Sequence, residues 1–235
     1  MAKKNKEISS SNLIKVKPIT EGQKSVFETW KQGKNQFLFG CAGTGKTFIS
    51  LYLAMQDVLD LKTKYDKVIL VRSLIPTREI GFLPGDEEDK AALYQVPYQN
   101  MVKFMFEQPN EQAFNMLYDR LKNQGSLYFL STSFLRGLTF DNSIIIVDEC
   151  QILNFHELDT ITTRVGQDSK IVFCGDFNQT DLLKQNERNG LHDFLRILME
   201  MQEFNCVEFN IGDIVRSGFV RNYLIQKTKL GMGME

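Results

Sequence analysis

The stretch Gly40-Cys-Ala-Gly-Thr-Gly-Lys46-Thr47 decides how the rest of this sequence is interpreted. It matches the pattern G-x-x-x-x-G-K-[ST], with a short apolar run before it and a run of helical spacing after it. Glycines let the backbone N–H groups of such a loop converge on phosphate oxygens, and the start of the following helix adds partial positive charge. The residues predicted to surround the phosphates are Gly40, Cys41, Ala42, Gly43, Thr44, Gly45, Lys46 and Thr47.

Two side chains of this phosphate-binding loop, the P-loop, have individual predicted roles. The Lys46 ammonium is expected to reach the β- and γ-phosphates and to act in catalysis, and the Thr47 hydroxyl is expected to bind Mg²⁺. The alternative is a glycine-rich turn that merely precedes a helix. The flanking strand and helix patterns favour the phosphate-binding interpretation.

A later strand pattern ends in two acids. The run Ile144-Ile-Ile-Val147 leads directly into Asp148 and Glu149. Ligands of open α/β sheets bind at the carboxyl ends of the strands, so both carboxylates are expected at the phosphate site. Asp148 is predicted to hold Mg²⁺, directly or through water, because a hard cation takes oxygen ligands. Glu149 is predicted to orient or deprotonate the attacking water, whereas the alternative is an acid pair that only starts a helix.

Three further side chains are candidates for the same site. Gln179 follows the strand run 171–174 and is predicted to sense the γ-phosphate and to hydrogen-bond the water. Arg216 is predicted to lie at the opening of a late helix, where a cation opposes the helix dipole and a phosphate would explain its position. Gln23 is predicted to contact an adenine edge. A turn role for Gln179 and exposed surface positions for Arg216 and Gln23 remain open as alternatives.

Short apolar runs alternate with helical patterns along most of the chain. Several strand runs are apolar at consecutive positions, as in strands covered on both faces. The alternation predicts an α/β fold with a mostly parallel sheet and helices on both faces. The predicted strands are 36–39, 67–71, 143–147, 170–174 and 206–209, and the predicted helices are 46–61, 155–165, 190–203 and 213–228.

The length of 235 residues predicts a single main domain with a tail at each end. We expect the domain to cover 18–228, with a disordered basic tail over 1–17 and a C-terminal tail over 229–235. The stretch 82–125 contains three prolines and fits the strand–helix alternation poorly. It is therefore predicted to be a helical insertion.

Composition limits the partners that the chain is expected to have. The net charge of −1 and the pI near 6.2 give no global basic field, so a nucleic-acid contact would need a local patch. Four cysteines show no CxxC pairing, which predicts reduced thiols and a cytoplasmic protein. No apolar run approaches the roughly 20 residues that span a bilayer, so no membrane association is expected. The basic clusters are Lys3, Lys4, Lys6, Lys15 and Lys17, and Arg221, Lys227 and Lys229.

Together these motifs resemble the PhoH family of P-loop ATPases, which are similar to the first motor domain of superfamily 1 helicases. The resemblance covers about 18–228, and its most family-specific element is the hexapeptide Gly81-Phe-Leu-Pro-Gly-Asp86. It also rests on the P-loop, Val71-Arg72, Leu135-Arg136-Gly137, Val147-Asp-Glu-Cys-Gln151, Gly175-Asp-Phe-Asn-Gln179 and Asp213-Ile-Val-Arg216.

The resemblance implies a RecA-like fold that binds and hydrolyses ATP with Mg²⁺. Matching motif by motif places the ATP site on the Lys46 loop, Asp148, Glu149 and Gln179, with Arg216 as a candidate arginine finger.

The resemblance also implies that Arg72 faces RNA or single-stranded DNA, and here the sequence departs from the family pattern. Ser73 stands where a proline is common, and Cys150-Gln151-Ile152 stands where a small residue precedes Gln-Asn.

Superfamily 1 helicases hold ATP between two motor domains, and this chain has room for one. We therefore expect neighbouring subunits to cover the γ-phosphate side in a homo-oligomeric ring, with Arg216 acting in trans or closing the site in cis. The predicted function is an ATPase that acts on, or is stimulated by, RNA or DNA. The alternatives are a P-loop kinase of a small molecule and a non-catalytic, nucleotide-gated interaction module.

Overall fold

The computed structural model describes residues 7–73, 87–132, 135, 137–176 and 190–230. Six strands in this part of the chain form one sheet in which every neighbouring pair is parallel. The strands are β1 (Asn35–Gly40), β2 (Lys67–Arg72), β3 (Leu127–Ser131), β4 (Ser143–Val147), β5 (Lys170–Gly175) and β6 (Phe204–Phe209). Their order across the sheet is β3-β2-β4-β5-β1-β6, so β1, β5 and β4 are neighbours at its centre.

Helices cover both faces of this sheet, as predicted for a RecA-like α/β fold. They are α1 (Glu21–Trp30), α2 (Lys46–Leu59), α3 (Glu87–Phe106), α4 (Glu111–Asn123), α5 (Phe155–Thr162), α6 (Leu191–Glu200) and α7 (Gly218–Lys229). Alternate residues of each central strand enter two separate cores, one under α1 to α4 and one under α5 and α6. The run Ile144–Val147 is fully buried because β4 is covered on both faces.

Strand β3 was not predicted from the sequence. Among the described residues it pairs only with β2 and forms one edge of the sheet, where Tyr128 is exposed. The run Leu127-Tyr-Phe-Leu130 is apolar, but a short apolar run suits a helix as well as a strand, and the pairing with β2 decides between them. The stretch 82–125 that precedes it contains α3 and α4, and Pro97 lies inside α3.

The segment before α1 packs against the domain. Ile8 and Leu13 are buried in the core beside α2. The Val16 N–H donates to the Tyr52 hydroxyl at 3.1 Å, and that hydroxyl donates to the Ile14 carbonyl at 3.0 Å. From Ile8 onward, this stretch is therefore packed on α2, in contrast to the disordered tail that was expected over 1–17. Residues 1–6 lie outside the described residues.

The start of the P-loop depends on a glycine. Gly40 has φ +118°, and a Cβ there would lie 2.1 Å from the Phe209 carbonyl oxygen on β6. Loop and sheet are tied at the same point, because the Cys41 N–H donates to that oxygen at 2.8 Å.

Among the described residues, no helix combines the length and the apolar character that a bilayer span requires.

We expect Gly40→Ala to lower the free energy of unfolding by about 3 kcal/mol, because it adds both a left-handed strain and a backbone clash. Chemical denaturation monitored by circular dichroism measures this. Gly212→Ala is the matched control, since a Cβ at Gly212 meets nothing within 4 Å. Equal loss of stability in the two variants would contradict the interpretation.

Candidate functional site

A cavity of about 610 Å³ lies at the carboxyl edge of the sheet, beside the P-loop. The ends of β2, β4 and β5 contribute to it, and so do α3 and the segments that precede α1 and α7. This is the edge at which parallel α/β sheets bind their ligands. The sequence-predicted residues that line it are Gln23, Gly43, Thr44, Gly45, Lys46, Thr47, Asp148, Glu149 and Arg216.

Lys46 is held at the mouth of the P-loop. Its ammonium donates to the Cys41 carbonyl at 2.7 Å and to the Gly40 carbonyl at 3.2 Å. It also pairs with Asp176 at 2.7 Å, although the Lys46 side chain is only 4% exposed. Gly40 and Cys41 therefore position the lysine although they lie outside the cavity lining, as does Ala42. A phosphate entering the loop would compete with Asp176 for this ammonium.

Asp176 was not predicted as a site residue. It directly follows β5, next to the acids that follow β4, and a polar residue at that edge is a usable signal. Within the motif 175–179, the sequence predicts a role for Gln179 but none for Asp176. Three features of the sequence lie outside the described residues: Gln179, the hexapeptide 81–86 and Arg136. The role of Gln179 therefore stays a prediction.

Thr47 and Asp148 form the candidate metal site. The Thr47 hydroxyl donates to Asp148 Oδ1 at 2.6 Å, and Asp148 is 7% exposed. A hydroxyl and a carboxylate are hard oxygen donors, so the pair fits Mg²⁺. No group of three or more His, Cys, Asp or Glu residues forms a metal cage in the described ranges.

Glu149 lies beside the candidate metal site in an unusual backbone conformation. Its φ of 53° is in the left-handed region. This conformation costs a non-glycine residue about 1–3 kcal/mol, and residues that adopt it are concentrated at functional sites. Burial raises the pKa of its carboxyl, and the nearby Asp148 and Asp176 carboxylates raise it further. Gln151 and Arg72 act on this pKa in the opposite direction. A carboxyl with a raised pKa is suited to accept a proton near neutral pH.

Gln151 connects the ends of β4 and β5. Its side-chain amide donates to Glu149 Oε2 at 2.6 Å and accepts from the Asp176 N–H at 3.1 Å. The Glu149 carboxylate is therefore oriented by a neighbour that is itself fixed to the next strand.

Arg216 lies beside the P-loop of its own chain, in the segment before α7. The Val215 N–H donates to the Gly43 carbonyl at 3.0 Å, and a Cβ at Gly43 would lie 2.8 Å from Arg216 Cγ. The predicted position at the opening of a helix is wrong, because α7 begins at Gly218. The sequence pattern 213–228 added the end of a short 3₁₀ turn (Ile211–Asp213) and the loop 214–217 to the true helix, so Arg216 precedes the helix and is not part of its first turn.

Gln23 connects α1 to the P-loop. Its amide nitrogen donates to the Thr44 carbonyl at 3.0 Å, and its amide oxygen accepts from the Ile19 N–H at 2.9 Å. The residue is 5% exposed. Its adenine contact stays a prediction, and both ends of the amide already have partners within the chain.

Tyr98, on α3, is a site residue that the sequence did not identify. Its hydroxyl donates to Asp148 Oδ2 at 2.7 Å, near the end of β2 where Arg72 also lines the cavity. Burial and the Asp148 carboxylate raise the pKa of this phenol far above its ordinary value. Nothing local in the sequence marks Tyr98, because the contact joins residues that are 50 positions apart.

Comparisons with known proteins agree with the fold and the P-loop. The family model for PhoH-like protein matches residues 15–226. The PhoH-like protein of Synechocystis sp. is 32% identical over 186 residues, which are 79% of this chain and 54% of that protein. Protein PhoH of Escherichia coli is 31% identical over 190 residues, covering 80% of this chain and 51% of that protein. Protein PhoH2 of Bacillus subtilis is 35% identical over 145 residues, covering 61% and 32%.

The chain thus spans about half the length, or less, of these three relatives. Among solved structures, the large terminase from a thermophilic bacteriophage superposes with a TM-score of 0.52. The match covers 90% of this chain and 50% of the terminase at 12% identity, so it shows a shared fold alone.

Proposed function

Because this chain belongs to the PhoH-like protein family, we propose that it binds ATP together with Mg²⁺ and hydrolyses it at the P-loop cavity. The observation that carries the proposal is the convergence of Lys46, the Thr47–Asp148 pair and Glu149 on one cavity at the carboxyl edge of the sheet. This combination of a cation, hard oxygen donors and a carboxylate base is the set that phosphoryl transfer to water requires.

In the proposed reaction, Glu149 accepts a proton from a water that attacks the γ-phosphorus, and the bond from that phosphorus to the β–γ bridging oxygen breaks. Lys46 exchanges its contact with Asp176 for the β- and γ-phosphates. Thr47 and Asp148 would hold Mg²⁺, whose charge would neutralise the phosphate oxygens. Gln151 keeps Glu149 oriented, and Arg216 stabilises charge that develops at the γ-phosphoryl group.

We further propose that RNA or single-stranded DNA is the partner that this ATPase acts on or responds to. Arg72 supports this because it lies at the carboxyl end of β2, beside the cavity and in contact with Tyr98. Lys17 also lines the cavity, so a basic residue of the N-terminal segment is near the same edge.

Arg216 lines the cavity and is exposed, and we propose that a second copy of the chain covers this side within a homo-oligomeric ring. Exposed apolar side chains on the adjacent surface support this: Phe219 is 84% exposed and Tyr223 is 58% exposed. Sedimentation with and without ATP tests the assembly, and a monomer that hydrolyses ATP at full rate would contradict it.

A cytoplasmic location suits an ATP-dependent enzyme whose Cys41, Cys150 and Cys174 are buried free thiols.

The decisive experiment is phosphate release from ATP with no other substrate, with Mg²⁺ or with a chelator, and with or without single-stranded RNA or DNA. We expect Mg²⁺-dependent release that a polynucleotide stimulates, with a stimulation that weakens steeply as salt rises. Negligible release without a small-molecule acceptor would favour the kinase. Nucleotide binding without release under every condition would favour the nucleotide-gated module.

A further inference from the structure

The contact between α3 and the candidate metal site has a chemistry of its own. Tyr98 is 2% exposed, and its hydroxyl reaches Asp148 Oδ2 at 2.7 Å. The other carboxylate oxygen, Oδ1, accepts the Thr47 hydroxyl at 2.6 Å. Each oxygen of the Asp148 carboxylate therefore has one hydroxyl partner, and the two partners come from different helices.

The direction of the bond between Tyr98 and Asp148 follows from the two groups. A carboxylate oxygen accepts and a phenol can donate, so the phenolic proton is directed to Asp148 Oδ2. The same helix also approaches the end of β2, because the Arg72 guanidinium carbon lies 5.7 Å from the centre of the Tyr94 ring.

We propose that Tyr98 is a positioning residue for Asp148: it fixes one carboxylate oxygen so that the other faces Thr47 and the metal. The inference rests on the proposed Mg²⁺-dependent nucleotide site. Residues that hydrogen-bond to a metal-binding side chain set its orientation and its basicity. Removing one of them typically weakens metal affinity by about 10–100-fold. Helix α3 thereby becomes part of the site, although it lies outside the strand ends that carry the P-loop and the acids.

A simple packing role would make a different prediction. Tyr98 packs against Phe129 with ring centroids 5.7 Å apart, and a phenylalanine would keep that contact. If packing were its whole role, Tyr98→Phe would leave every binding property unchanged. If it positions Asp148, the loss appears only where Mg²⁺ takes part.

The test is the binding of a fluorescent, non-hydrolysable ATP analogue, titrated with Mg²⁺ from chelator-buffered zero upward. For Tyr98→Phe we expect unchanged binding without Mg²⁺, and a Mg²⁺ midpoint raised by about tenfold or more. Tyr118→Phe is the matched control, because it removes the hydroxyl of another buried tyrosine, one that lies outside the cavity lining. Its titration should superpose on that of the wild type.

The outcomes separate this inference from the proposed function. If the wild type binds the analogue in a Mg²⁺-dependent manner and Tyr98→Phe gives the same titration, the positioning role alone is overturned. A wild type that fails to bind the analogue overturns both. If thermal unfolding shows that Tyr98→Phe does not fold, Tyr98→Met decides, because methionine adapts to a buried position and brings no hydroxyl. A raised Mg²⁺ midpoint then supports the role, and an unchanged midpoint overturns it.

Discussion

Glu149→Gln is expected to lower the rate of ATP hydrolysis by about 10²–10⁴-fold while nucleotide binding is retained. Glutamine can keep the contact with Gln151 but cannot accept a proton from water. Lys46, Thr47 and Asp148 are untouched, so the phosphates and the metal should bind as before. Steady-state phosphate release and binding of a fluorescent ATP analogue measure the two properties separately.

The same variant has a pH signature. Glu149 must be ionised to act as a base, and burial raises its pKa, so wild-type activity should fall as the pH decreases through a value above the ordinary 4.5. The residual activity of Glu149→Gln should lack this limb. Glu200→Gln, which changes an exposed glutamate on α6, should behave as the wild type. Loss of binding in Glu149→Gln, or an unchanged rate, would contradict the assigned role.

At neutral pH, Glu149→Gln should raise the stability of the fold while it lowers ATP hydrolysis. A carboxyl with a raised pKa binds its proton more tightly in the folded than in the unfolded state, so the wild type loses stability as the pH rises through that pKa. Glu149→Gln removes the buried negative charge beside Asp148 and Asp176. At neutral pH its thermal midpoint should therefore exceed that of the wild type, and the difference should shrink as the pH approaches 4.5.

The central strands could be predicted from the sequence because burial on both faces leaves an unambiguous pattern. Consecutive apolar residues in β4, followed at once by Asp148 and Glu149, indicate both the strand and the edge at which it ends. The P-loop adds a helix of known direction. Since parallel strands bring their carboxyl ends together, the sequence also predicts that these acids and Lys46 share one site.

The features that escaped prediction depend on contacts between distant parts of the chain. The run 127–130 is apolar, but only its backbone pairing with β2 makes it a strand. Tyr98 meets Asp148 only because α3 folds over the carboxyl edge of the sheet. The predicted helix around Arg216 is too long because the apolar loop residues Ile214 and Val215 continue the pattern of α7.

Arg216→Ala is expected to lower the rate of ATP hydrolysis by about 10³-fold, at the lower end of the range for arginines that stabilise a phosphoryl-transfer transition state. The guanidinium is an always-charged fork, and its stem packs beside Gly43, so it can reach a γ-phosphoryl group bound in the P-loop. Arg196→Ala is the control, since Arg196 is exposed on α6 and lies outside the cavity. Phosphate release at saturating ATP isolates this loss from any change in affinity.

Mixing two inactive variants determines whose site Arg216 serves. The segment before α7 is tied to the P-loop of its own chain through the bond from the Val215 N–H to the Gly43 carbonyl, so we expect action in cis. Every site in a mixture of Arg216→Ala and Glu149→Gln subunits would then lack one of the two residues, and the mixture should stay as inactive as its components. Action in trans would instead create sites that combine an intact Glu149 with the arginine of a neighbour. Recovered hydrolysis would therefore contradict the cis assignment and show that a neighbouring subunit supplies the arginine.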